Sequence, residues 1–107
     1  MSVYKKLVRD KIPQIIEESG KSFTMRILDP NEHLVEIKNK MQEEMLEFQE
    51  AANVQESLDE LADIVELVHA ALDVYGVSYK ELEGVRQRKK EKRGGFNERI
   101  FLMEVED

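Results

Sequence analysis

Apolar residues recur along most of this chain at the three- and four-residue spacing of amphipathic helices, and they alternate in only two short stretches. The pattern predicts four helices. The first begins at an Asp10 cap with Pro13 in its first turn, runs through Ser19 and ends at Gly20. The second starts at Asp29-Pro30, with Asp as cap and Pro at the first helical position, and extends to about Ala52. The third opens at Ser57 or just before it, reaches Tyr75 and closes at Gly76. The fourth is capped by Ser78 with Glu81 as its capping-box partner, and stops near Arg93 at Gly94-Gly95. Phe23, Met25 and Ile27 alternate with polar neighbours, and Ile100 to Val105 is apolar and short. These predict a small two-stranded β element, 22–28 paired with 99–105, lying against the helices because an isolated pair is marginal.

The two central helices differ in how much of their surface is apolar. In the second, Leu34, Ile37, Met41, Met45 and Phe48 form a single stripe. In the third, Leu58, Leu61, Ile64, Val65, Leu67, Val68, Ala71, Leu72, Val74 and Tyr75 leave only a narrow polar wedge around Asp59, Glu66 and Asp73. Such a helix is buried on nearly all sides. A monomer of 107 residues has little material with which to cover it, so a partner surface is expected. Length allows one domain, 1–107.

Within these helices stand five carboxylates: Glu43-Glu44-x-x-Glu47 in the second and Glu60-x-x-Asp63 in the third. Carboxylates at i,i+3 share a helix face, and two such pairs on adjacent helices converge into a group of oxygens of the kind Mg²⁺ prefers. With Met41 as the zero of a helical wheel, Glu44 lies at roughly 60° and Glu47 at roughly 120°, leaning inward, while Glu43 sits toward the back. Glu60 falls within the apolar arc of the third helix and Asp63 at its border. Carboxylates in such a helix must be protonated, paired or metal-bound. The plainer alternative is a solvated acidic face, the usual fate of a Glu in a soluble helix.

Charge and composition narrow the classes. The net charge of −7 argues against a nucleic-acid polymer as partner. The absence of cysteine excludes disulfides and thiolate zinc sites, and His33 and His69 lie too far apart in sequence to suggest a metal pair. No long apolar run is present, so no membrane contact and a cytoplasmic location are expected. The stretch from Arg86 to Arg93 is basic against this acidic background. Lys40 faces the acidic cluster, where it reads as a salt bridge to Glu44 or Glu47 or as a substrate contact. Arg9 and Lys11 are further cationic candidates, or anchors of the first helix.

The acidic signature resembles that of the all-α nucleoside triphosphate pyrophosphohydrolases, which include the MazG-like proteins and the phosphoribosyl-ATP pyrophosphohydrolases. Tyr4-x-Lys6-Leu7-Val8-Arg9-Asp10-Lys11-Ile12-Pro13 and Lys89-x-x-x-Arg93-Gly94-Gly95-Phe96 resemble a small-protein branch labelled phosphoribosyl-ATP pyrophosphohydrolase-like. The resemblance implies an all-α, four-helix, MazG-like bundle whose core is completed by a homodimer or homotetramer. It implies cleavage of a nucleotide between its α- and β-phosphates with Mg²⁺, or Mn²⁺ as substitute, giving a nucleoside monophosphate and pyrophosphate. Glu44, Glu47, Glu60 and Asp63 match the metal ligands, and Lys89 and Arg93 the phosphate contacts. Glu43 or Glu47 is the candidate proton acceptor. The competing readings are the phosphoribosyl-ATP enzyme of histidine biosynthesis and a non-catalytic helical dimerisation module that kept the acidic shell.

Overall fold

Asp29 sets the start of the first long helix: its side chain accepts the Glu32 N–H at 2.9 Å, and Pro30 supplies the first helical residue. In the computed structural model, which describes residues 2–107, four helices follow in chain order. They are α1 (Ile12–Glu18), α2 (Pro30–Glu50), α3 (Val54–Tyr75) and α4 (Tyr79–Arg93), and the described residues contain no strand. The protein is therefore all-α.

The expected β element does not form: neither 22–28 nor 99–105 enters a ladder. Alternation is necessary for a strand but does not supply the apolar surface that holds one. Ile27, Ile100, Phe101 and Met103 remain largely exposed, so nothing offsets the entropy of ordering an extended segment. Two helix starts also differ from expectation. The N-cap position of α1 is Lys11, not Asp10, and no side chain caps it; the Ile12 N–H instead bonds the Arg9 carbonyl at 3.0 Å. For α3 the cap is Asn53, which accepts the Glu56 N–H at 2.9 Å, while the Glu56 carboxylate reaches back to the Ala52 N–H at 2.8 Å. That reciprocal pair begins the helix a full turn before Ser57, in residues that carry little of the apolar stripe.

Other boundaries follow from local chemistry. Gly76 ends α3 with φ +70, a left-handed conformation that a Cβ disfavours. Ser78 and Glu81 form the full capping box of α4.

The chain divides into two compact units, one running to Gly76 and one from Val77 to Asp107. In the first, α2 packs on α3. The connection of three residues, 51–53, forces the two helices to run antiparallel as neighbours. Ile37, from the predicted stripe, is the fully buried side chain of this packing among the described residues. The apolar wrap of α3 is not covered: Val54, Leu58, Leu61, Val65 and Tyr75 all count among exposed large side chains, as do Met45 and Phe48 of α2. The second unit is built on α4, whose surface is polar and whose last turn carries Lys90, Lys92 and Arg93.

Candidate active site

The short turn between α2 and α3 places the end of one helix beside the start of the next. Glu44 and Glu60 lie at similar distances from that turn, so an antiparallel hairpin brings them together. Carboxylate oxygens of Glu44, Glu60 and Asp63 lie within 4.8 Å of one another, and so do those of Glu43, Glu44 and Glu47. Glu44 belongs to both triads and joins them.

Burial grades the five. Glu44 is 5 % exposed, Glu43, Glu60 and Asp63 are half-buried, and Glu47 is exposed. One oxygen each of Glu44 and Glu60 is buried without a hydrogen-bond partner. Burial, reinforced by Glu60, Glu47 and Asp63, pushes the Glu44 carboxyl up to about 8. At Glu60 the hydrogen bond with Glu44 lowers the affinity for a proton, but Glu47, desolvation and the charge of Asp63 outweigh it, and the carboxyl is raised. These observations describe a site short of positive charge. Unpartnered buried oxygens, crowded like charges and an all-oxygen donor set fit a hard divalent cation.

Cations enter from two directions. Lys40, half-buried one turn before Glu44, lies 3.8 Å from Glu44 and 3.4 Å from Glu43. The salt bridge expected of it thus goes to Glu44 and Glu43, not to Glu47. From the segment before α1, Lys6 donates to Glu43 at 3.0 Å and Arg9 to Asp63 at 2.6 Å. The Lys6 hydrogen bond, with help from Lys40, holds the Glu43 carboxyl below the usual range.

The arrangement departs from the helical wheel at Glu43. The wheel places it about 100° from Glu44 and farther from the apolar stripe, yet its side chain meets Lys6 and Lys40 and has an oxygen within 4.8 Å of those of Glu44 and Glu47. Lys6 is the site residue that periodicity gave no means of finding, since it meets Glu43 across thirty-seven positions of sequence; its place in the motif beside Arg9 was the available signal. On α4, Lys89 and Arg93 are exposed, and Arg86 is held by Glu83 in an i,i+3 ion pair. Lys11 occupies the cap position of α1.

Two acidic triads that share a desolvated glutamate, with oxygen as their sole ligand type, make an all-helical site able to hold a hard cation. The family is then fixed by a match over residues 4–90 to the family model described as Phosphoribosyl-ATP pyrophosphohydrolase: the chain belongs to this MazG-like family and is a hydrolase acting on phosphoanhydride bonds. No curated protein and no solved structure matches it. Among the described residues no helix is long and apolar enough to cross a membrane.

Proposed function

We propose that the protein is a Mg²⁺-dependent nucleoside triphosphate pyrophosphohydrolase that yields a nucleoside monophosphate and pyrophosphate, with nucleotide-pool clearance in the cytoplasm as its setting. The observation that carries this reading is the junction at Glu44: a buried, proton-raised carboxyl shared by two triads, with an unpartnered oxygen. Family membership favours catalysis over a dimerisation module.

Glu44, Glu47, Glu60 and Asp63 would hold the ion, with Mn²⁺ as a substitute. When bound, Mg²⁺ supplies charge neutralisation for the phosphates and an acidified water. The chain's own part is positioning and proton handling. Lys40 stays beside Glu43 and Glu44, where its ammonium offsets the crowded negative charge and would meet a phosphate oxygen of the substrate. Of the two candidate proton acceptors, Glu47 is favoured. Glu43 already holds two lysines and binds a proton poorly, whereas Glu47 is exposed on the same helix face as Glu44. Lys89 and Arg93, i,i+4 neighbours on α4, are assigned to the phosphates. Replacing Lys89 with Ala should raise KM about tenfold and change kcat little, as expected for a charged contact made equally in ground and transition states. Unchanged steady-state kinetics would leave Lys89 a surface residue.

The open apolar face of α3 supports a homodimer or homotetramer that completes the helical core of a single 1–107 domain.

The deciding experiment is a nucleotide panel with Mg²⁺, including canonical and altered triphosphates and phosphoribosyl-ATP, read by release of pyrophosphate as distinct from orthophosphate. Turnover of a triphosphate supports the proposal. Turnover of phosphoribosyl-ATP alone would assign the protein to histidine biosynthesis instead, and silence across the panel sinks the catalytic reading.

A further inference from the structure

The segment ahead of α1 carries Lys5, Lys6, Arg9 and Lys11 against a single acid, Asp10, and the metal and proton roles above leave it unused. Its course is well defined. Lys5 takes φ +43, a left-handed conformation that side-chain-bearing residues rarely adopt. The Lys6 ammonium lies 5.9 Å from the centre of the Tyr4 ring, within cation–π range. The Arg9 carbonyl accepts the Ile12 N–H and ties the segment to the first turn of α1. Two side chains then reach different helices: Lys6 to Glu43 on α2 and Arg9 to Asp63 on α3. Each triad of carboxylates therefore has one member bound to a cation of this segment.

A bridge made only to anchor the segment would gain little here. Side-chain exposure is 58 % for Arg9 and 42 % for Lys6, so both heads stand partly in water, where an ion pair contributes weakly and exchanges readily. The Arg9 pair also competes directly with a divalent ion for Asp63, while the Lys6 pair holds Glu43 beside the proposed ligand Glu44. A cation displaced from these oxygens stays tethered at the mouth of the site, and the anions that arrive there are phosphates. The guanidinium fork fits two phosphate oxygens at once, as it fits a carboxylate.

We propose that Arg9 is an exchangeable cation, shared between the carboxylate of Asp63 and the β- and γ-phosphates of the nucleotide, so that with Asp63 engaged by a divalent ion its guanidinium would turn to the leaving pyrophosphate, with Lys6 on Glu43 as a second phosphate contact. This rests on the pyrophosphohydrolase reading and adds the residues that hold its leaving group. No covalent bond is made or broken in the exchange; Asp63 would serve the ion, and the Arg9 guanidinium it now holds would pair with phosphate oxygens instead.

The exchange gives one substitution two opposite effects. In calorimetric titrations of the full chain, Arg9→Gln should bind Mg²⁺ alone several-fold more tightly than the wild type, because a competitor for Asp63 is gone. In saturating Mg²⁺ the same variant should bind inorganic pyrophosphate roughly tenfold more weakly, the size expected for one charge-assisted contact. Arg9→Lys should restore much of the competition with Mg²⁺ but less of the pyrophosphate affinity, since it lacks the fork. Lys6→Gln should likewise weaken pyrophosphate binding in saturating Mg²⁺, as expected for a second charged phosphate contact. An anchor without exchange predicts the reverse for the ion, so unchanged or weaker Mg²⁺ binding in Arg9→Gln overturns the proposal, as does unchanged pyrophosphate binding. These titrations need no turnover. A wild type that shows both affinities yet releases pyrophosphate from no nucleotide would remove the catalytic reading and leave the exchange standing.

Discussion

Glu60→Gln and Asp63→Asn are each expected to lower turnover by roughly 10²–10³-fold, the usual loss when one preorganised electrostatic group is removed from a site that stabilises developing charge. Both substitutions keep side-chain volume and delete a formal charge. At Glu60 the consequence is direct: a carboxylate oxygen lies within 4.8 Å of those of Glu44 and Asp63, one of its oxygens is buried without a partner, and an amide there would offer a weaker donor to a hard cation. At Asp63 the change also weakens the hold on Arg9. The fold should survive, because both residues lie on the half-buried face of α3 and neither caps a helix. The checks are pyrophosphate release for activity and far-ultraviolet circular dichroism with thermal melting for structure. A folded variant that retained wild-type turnover would take its residue out of the ligand set.

The second large effect concerns stability and pH. Glu44, with its carboxyl at about 8 against an ordinary 4.5, takes up a proton on folding at any pH between those values. Glu60 is shifted in the same direction. The native state therefore binds more protons than the unfolded chain in this window, and stability must fall as pH rises through it, by up to about 1.4 kcal/mol per pH unit for one group. Glu43 works the other way in more acid solution: its lowered carboxyl contributes stability that is lost as pH drops below 4.5. In chelator, the urea midpoint should therefore decline from about pH 5 to pH 8. Glu44→Gln should flatten the decline and raise the midpoint at pH 8, because an amide avoids the cost of burying a charge. Mg²⁺ at pH 8 should restore the wild type by binding the folded form, and should do so far less for the variant. A wild-type midpoint that does not change with pH would mean that Glu44 is solvated, contrary to its burial.

These two expectations pull against each other at the same residues. Carboxylates that weaken the fold when uncompensated are those that would bind the cation, a common trade between stability and activity. Arg9 moderates that conflict at Asp63 and Lys6 offsets the neighbouring charge of Glu43, while the cation beside Glu44 is Lys40, 3.8 Å away.

Local chemistry in the chain determined the helices. Asp29-Pro30, Gly76, and Ser78 with Glu81 each satisfy or terminate backbone hydrogen bonds within a few residues, and so each could be read without knowing what lies across the fold. The acidic pattern was legible for a related reason: i,i+3 spacing fixes a helix face regardless of context. Three things depended on tertiary structure. Whether 22–28 and 99–105 become strands depends on apolar cover from elsewhere, and the cover is missing. Which glutamate is buried depended on the antiparallel packing of α2 on α3, which selected Glu44 and left Glu47 exposed although the wheel grouped them. Which cations reach the carboxylates depended on the path of residues 2–11, since Lys6 and Arg9 lie thirty-seven and fifty-four positions from their partners. Periodicity reports only on neighbours along a helix; burial and long-range ion pairs arise where separate segments meet, and only the folded chain specifies those meetings.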